Sequence, residues 1–114
     1  MAVTDALDPE DAKLVVLARA TRARTDARQG AALRDLDGRT YAAAAVDLEH
    51  LSVSAVGVAV AMAISSGARG AEAMVVLGNE PSGDDLAALR DFAGSGVPVH
   101  VGTVSGEVDN HLAT

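Results

Sequence analysis

Three groups of residues in this 114-residue chain carry side chains able to do chemistry. In the first, Asp47-Leu48-Glu49-His50 is followed by Ser54. His50 and Ser54 are four apart, so a helix that began early would set an imidazole beside a hydroxyl, the pairing of a base with a nucleophile. No Gly-x-Ser-x-Gly elbow surrounds Ser54, which leaves the hydrolase reading without its usual strand-to-helix turn. In the second, Ser82-Gly83-Asp84-Asp85, adjacent carboxylates can hold Mg²⁺ beside a phosphate. The same residues also suit the first turn of a helix, where acids complement the dipole. Gly78-Asn79-Glu80-Pro81, just before them, forms a strand-to-helix turn of the kind that binds anions in α/β folds. It matches neither the dinucleotide nor the P-loop fingerprint, and its acids repel phosphate. The third group is the remaining histidines, His100 in a strand and His111 in the tail, each isolated in the sequence. There is no cysteine, which excludes disulfides, thiol nucleophiles and thiolate metal sites.

Charge narrows the partners. The net charge is −7, and it is uneven: residues 1–39 hold seven basic and seven acidic side chains, residues 40–114 two and nine. An acidic half argues against a nucleic-acid role, and one Tyr, one Phe and no Trp offer almost no stacking platform for bases. Arg19, Arg22, Arg24 and Arg28 read as the solvated face of a first helix, paired with neighbouring acids. Met1–Asp8 lacks a basic-then-apolar signal pattern. The one long apolar run is too short and too rich in Gly, Ala and Ser to span a bilayer. The expectation is a cytoplasmic protein without membrane association. It should form one domain over 1–114, with 1–7 and about 105–114 less ordered, burying roughly two-thirds of its unfolded surface.

The elements that must position these residues follow from period and punctuation. Asp8-Pro9-Glu10-Asp11 is a helix start with a capping Asp, and Leu14, Leu17, Ala18 and Thr21 continue at helical spacing over about 9–26, ended by Gly30. Ala31–Leu36 and Arg39–Val46 read as two strands joined at Asp37-Gly38 by a type I′ turn. The Ala-rich second strand suggests close approach by another surface. Ser52–Gly67 is uncharged and apolar on every side, with Ser52 as its cap. A helix without a polar stripe is covered by a sheet on one side and by something else on the other. Ala71–Leu77 is a buried strand. Ser82 and Asp85 form a capping box for a helix over about 83–93, and Val97–Val101 is a strand parallel to Ala71–Leu77. The tail 103–114 carries mixed signals. The sum is a three-layer α/β/α domain with a mixed sheet of four or five strands.

That order, with these residues in it, resembles the small zinc-dependent cytidine deaminases. Gly30-Ala-Ala-Leu-Arg-Asp-Leu-Asp-Gly-Arg-Thr-Tyr41 looks like the family's V-G-A-A-L hairpin with its D-G turn. Leu51-Ser-Val-Ser-Ala-Val-Gly-Val-Ala-Val60 is similar to L-T-x-C-A-E-R-x-A-x. Pro81-Ser-Gly-Asp-Asp-Leu-Ala-Ala-Leu-Arg-Asp-Phe92 looks like P-C-G-x-C-R-Q-x-L-x-E-F. The resemblance implies a cytidine deaminase-like fold. In that family three cysteines of these motifs hold zinc, and the glutamate of C-A-E moves protons without binding the metal. The resemblance puts Ser54, Ser82 and Asp85 at the ligand positions and Val56 at the glutamate. Asp47 is the candidate stand-in for the acid that grips the ribose.

Two hydroxyls and one carboxylate are a poor set for zinc, and valine carries no proton. No zinc or other cofactor and no catalytic residue is therefore expected. The reading is a degenerate, metal-free homologue acting as an oligomeric scaffold or partner-binding protein. One alternative is a vestigial pocket of Asp47, Ser54, Ser82 and Asp85 that binds a nucleoside or similar polar ligand without turnover. The other is a working deaminase that hydrolyses cytidine to uridine. Small residues along the central helix, Gly57, Ala59, Ala61 and Ala63, suit close packing on more than one side. The small cytidine deaminases are typically homotetramers whose active-site helices meet at subunit interfaces, so the resemblance also implies a homodimer or homotetramer.

Overall fold

The computed structural model describes residues 7–114. Its elements are α1 (Pro9–Thr25), β1 (Gln29–Asp35), β2 (Thr40–Ala44), β3 (Val46–Asp47), β4 (Ser52–Val53), α2 (Ala55–Ser65), β5 (Ala71–Gly78), α3 (Gly83–Ala93), β6 (Pro98–Gly102) and β7 (Val108–Ala113). One mixed sheet has the strand order β2-β1-β5-β6-β7, and β3 pairs with β4 in a separate short ribbon. β5 and β6 are parallel through the α3 crossover; the other neighbours in the sheet are antiparallel. The frayed start expected for 1–7 falls on residues outside the described ones, except for Leu7, which packs against the core beneath α1.

Two cores lie on the two faces of the sheet. Leu14, Val15 and Ala18 of α1 pack on Ala32, Ala73, Val75 and Leu77. On the other face, Val56, Val60 and Ala63 of α2 and Leu89 of α3 pack on Leu33, Met74, Val76 and Val99. Side chains alternate across a strand, so Ala42 faces α1 and Ala43 faces α2. The Ala-rich strand is thus small because helices approach it from both sides. The result is the expected three-layer α/β/α arrangement with a five-stranded mixed sheet.

Four local expectations are corrected. α1 does not run to a stop at Gly30. Asp26 takes the left-handed conformation (φ 51°) and donates its N–H to the carbonyls of Ala23 and Arg22, while Gly30 lies inside β1. A Cβ on Gly30 would sit 2.6 Å from the Ala18 carbonyl oxygen and 2.7 Å from Arg22 Cβ, so the glycine is there to let α1 cross the sheet.

The hairpin turn is not type I′, because Gly38 has positive φ and Asp37 does not. Gly38 N–H donates to the Asp35 carbonyl at 3.2 Å, and Asp35 N–H to that of Arg39 at 2.8 Å. That is a three-residue loop with a left-handed glycine at its end. Asp35, 2% exposed, fixes it: Oδ1 accepts from Asp37 N–H (2.9 Å) and Arg39 N–H (3.0 Å), and Oδ2 from the Tyr41 hydroxyl (2.9 Å).

Ser52 does not cap the central helix. It pairs with Asp47 in the β3–β4 ribbon, and the cap is Ser54, whose Oγ accepts the Gly57 N–H at 3.0 Å. Finally, within the tail expected to be less ordered, Val108–Ala113 forms β7, antiparallel to β6. Thr114 then donates its hydroxyl to the Gly94 carbonyl at 2.7 Å and accepts the Val97 N–H at 3.0 Å. These bonds tie the strand's end to the turn after α3.

Candidate functional site at the α2–α3 junction

The first turns of α2 and α3 meet. At the start of α3 the capping box expected from the sequence is present: Ser82 Oγ accepts the Asp85 N–H at 3.0 Å, and Asp85 Oδ2 accepts the Ser82 N–H at 3.0 Å. The other carboxylate oxygen of Asp85 accepts a 2.6 Å hydrogen bond from Ser54 Oγ, the cap of α2. One carboxylate therefore serves two helix termini, where backbone N–H groups are otherwise unpartnered and the dipoles favour negative charge. A further first-turn donor of α2 is met from the sheet. Gln29, 1% exposed, accepts the Ala55 N–H on Oε1 at 2.9 Å and donates Nε2 to the Asn79 carbonyl at 2.8 Å.

Ser54, Ser82 and Asp85 are thus brought together. Val56, the second residue of α2, is 1% exposed and packed in the core. Asp47 is held differently. Its carboxylate accepts from Arg28 Nε at 2.9 Å and Nη2 at 3.3 Å, and from Ser52 Oγ at 3.2 Å. The Arg28 bonds in the first place, with help from Ser52 and against some desolvation, hold its carboxyl below the ordinary range. Arg28 lies beyond the end of α1, so the four-arginine helix face is reduced to Arg19, Arg22 and Arg24.

The other candidates do not assemble. His50 is 91% exposed at its side chain, and its recorded contact is Glu49 at 4.0 Å; Ser54 turns its hydroxyl to Asp85 instead. Among the described residues no group of three or more His, Cys, Asp or Glu side chains is placed to hold a metal ion. As a donor set for zinc, Ser54, Ser82 and Asp85 fit poorly. Neutral hydroxyls are weak ligands for an ion that prefers thiolate and imidazole, and here the hydroxyls are engaged with the carboxylate and with backbone N–H groups. A hollow of about 350 Å³, lined by Lys13, Val16 and Leu17 of α1 and Thr40 of β2, lies on the α1 side, away from this junction.

Gln29 escaped the sequence reading. In Arg28-Gln29-Gly30 it looks like part of a turn, and only the sheet shows that it is the first residue of a buried strand.

The cytidine deaminase-like family profile matches residues 7–106, and the chain belongs to that family. Its fold is similar to that of the cytidine deaminase from Burkholderia pseudomallei (TM-score 0.76, 22% identity, covering 90% of this chain and 89% of that one). It is similar also to the cytidine deaminases from Mycobacterium leprae (0.73, 18%, 93% and 94%) and Mycobacterium tuberculosis (0.69, 21%, 82% and 85%). Identities this low speak for the fold. Comparison with curated protein sequences gives no match.

Proposed function

We propose that this chain is a non-catalytic member of the cytidine deaminase-like family, metal-free at the family's zinc position, that acts as an oligomeric scaffold or partner-binding protein, in keeping with a cytoplasmic location. The observation that carries the reading is the 2.6 Å bond from Ser54 to Asp85. The side chains at the family's ligand positions satisfy one another and two helix termini. A carboxylate between two helix starts stabilises the junction electrostatically. Val56, at the position of the family's proton-moving glutamate, is a buried apolar side chain without a titratable group.

The scaffold half of the reading is supported by the outer side of α2. Ala55, Val56, Ala59, Val60 and Ala63 face inward, whereas Met62 is 38% and Ile64 54% exposed, with Leu51 at 52% nearby in sequence. Met62 and Ile64, two positions apart, flank the small residues of this exposed side, and apolar surface of that kind is what a second subunit covers.

The test is elemental analysis of untagged protein purified without chelators, together with a cytidine deamination assay and light scattering. An inactive species heavier than one chain, holding no zinc that depends on Asp85, is the expected result. Cytidine turnover, or about one zinc per chain that is lost on Asp85→Ala, would overturn the reading. The nucleoside-pocket alternative predicts a rise in Tm with cytidine or uridine, since a ligand that binds only the native state stabilises it. The engagement of Asp47 by Arg28 and Ser52 argues against such a rise.

A further inference from the structure

On the α1 face of the sheet, opposite the α2–α3 junction, the two histidines that look isolated in the sequence meet. His100 of β6 and His111 of β7 are register partners, with ring centroids 4.9 Å apart, planes at 86° and Nδ1 facing Nδ1 at 2.8 Å. Behind His100, Nε2 stands 2.9 Å from Asp11 Oδ2. Asp11 Oδ1 accepts from Arg34 Nη2 at 2.9 Å, and Arg34 Nε donates to Glu72 at 2.9 Å. Asp11 is ion-paired with the Arg34 guanidinium at 2.9 Å, so it faces His100 as a carboxylate acceptor.

The tautomer follows from this network. An ionised carboxylate against Nε2 requires a proton on that nitrogen, so neutral His100 presents a lone pair at Nδ1, directed at the Nδ1 of His111. The gap between the two nitrogens admits one proton. Slightly widened, it would take one metal ion, because two imidazole nitrogens are the donors that Zn²⁺, Ni²⁺ and Cu²⁺ favour. A carboxylate that accepts the far N–H of a ligating histidine is the usual outer support of such a ligand. At metal–nitrogen distances of about 2.0–2.1 Å a tetrahedral ion needs its two nitrogens about 3.3 Å apart, so the rings would part by about half an ångström. His111 is exposed on the edge strand of the sheet, where that movement meets little resistance. Asp11, Arg34 and Glu72 together add one negative charge behind the pair, which favours a cation.

We propose that His100 and His111 form a cross-strand binding site for a divalent transition-metal ion, with Asp11 orienting His100 and water completing the coordination. The two protein ligands make it an open, exchangeable site that clasps β6 to β7. Its residues and its face of the sheet are distinct from Ser54, Ser82 and Asp85.

The test is calorimetric titration of chelator-stripped, untagged protein with ZnCl₂ and NiCl₂, with the histidine ring signals followed by NMR. The expected result is one equivalent per chain, with shifts confined to His100 and His111. His111→Ala, at an exposed position, should weaken binding at least tenfold. His50→Ala, a change to another exposed histidine, should leave binding unchanged. Asp11→Asn should weaken it by about 10–100-fold. No uptake at about 1 mM metal, or full affinity retained in His111→Ala, would sink the proposal. Uptake that survives His111→Ala and disappears in Asp85→Ala would move the metal to the α2–α3 junction. That outcome would overturn the metal-free reading as well, so the failures of the two proposals are distinguishable.

Discussion

Ser54 does two jobs with one hydroxyl, accepting from Gly57 N–H and donating to Asp85. Each bond alone is modest. An N-cap is worth about 1 kcal/mol, and a hydrogen bond to a charged group about 1.5–3 kcal/mol. Because the two residues share one bond and each also caps a helix, their removals should not add. Ser54→Ala is expected to cost about 2 kcal/mol, and the Ser54→Ala/Asp85→Ala double-mutant cycle to give a coupling energy of about 0.5–3 kcal/mol. Urea unfolding of the four proteins measures both, and strict additivity would mean that the junction is not the shared device described here. The types Ser82 and Asp85, three apart before an apolar run, announce the capping box in the sequence. The partner of the second Asp85 oxygen lies 31 residues away, and no local pattern points to it.

Among the elements, the β1–β2 hairpin depends most on a single titrating group. Burial would raise the Asp35 carboxyl. The Tyr41 hydroxyl and the N–H groups of Arg39 and Asp37, with the charge of Arg39, more than offset this and bring it below its ordinary value of 3.8. The same bond holds the Tyr41 hydroxyl above its ordinary range, because ionised tyrosine loses the donor. A carboxyl lowered in the folded state contributes stability that is complete above the unfolded value and disappears as pH falls through the folded one. Tm is therefore expected to fall with pH below about 4. Asp35→Asn should have a lower Tm at pH 7 and a shallower acid limb, measured by circular dichroism across the pH range. An acid limb identical to the parent's would show that Asp35 does not carry the hairpin's pH dependence. Here the Asp37-Gly38 signal was legible as a turn, and its type was not. The type depends on Asp35, whose side chain occupies the N–H groups that would otherwise face solvent.

At the scale of the whole molecule the proposed scaffold role turns on the outer side of α2. The inner side is closed by the sheet and flanked by α3, with Leu86 and Phe92 packed against the core. The outer side keeps Met62 and Ile64 in contact with water. Ile64→Asp is expected to shift the mass in light scattering toward the 11.5 kDa of one chain, leaving the circular dichroism spectrum unchanged, because the side chain supports no contact of the core. An oligomer that persists unchanged would place its interface elsewhere. Among the described residues no helix is long and apolar enough to cross a membrane.

What the sequence determined by itself was the order of elements and the layers they form. Those follow from periodicity, caps and turn residues, which act over three or four positions and survive in any context. Asp8-Pro9, the Ser82–Asp85 box, the glycines after α2 and the stripe of small residues inside it are all of this kind. The tertiary structure alone decided which polar groups meet. Gln29 bonds to Ala55 and Asn79, 26 and 50 residues away, and His100 to Asp11 across 89. It also decided that the mixed signals of 103–114 resolve into an edge strand, because β7 exists only where β6 offers it a row of backbone partners. Secondary structure is written in neighbours along the chain. Sites such as the α2–α3 junction and the histidine pair are written in neighbours across the sheet, and only folding brings those together.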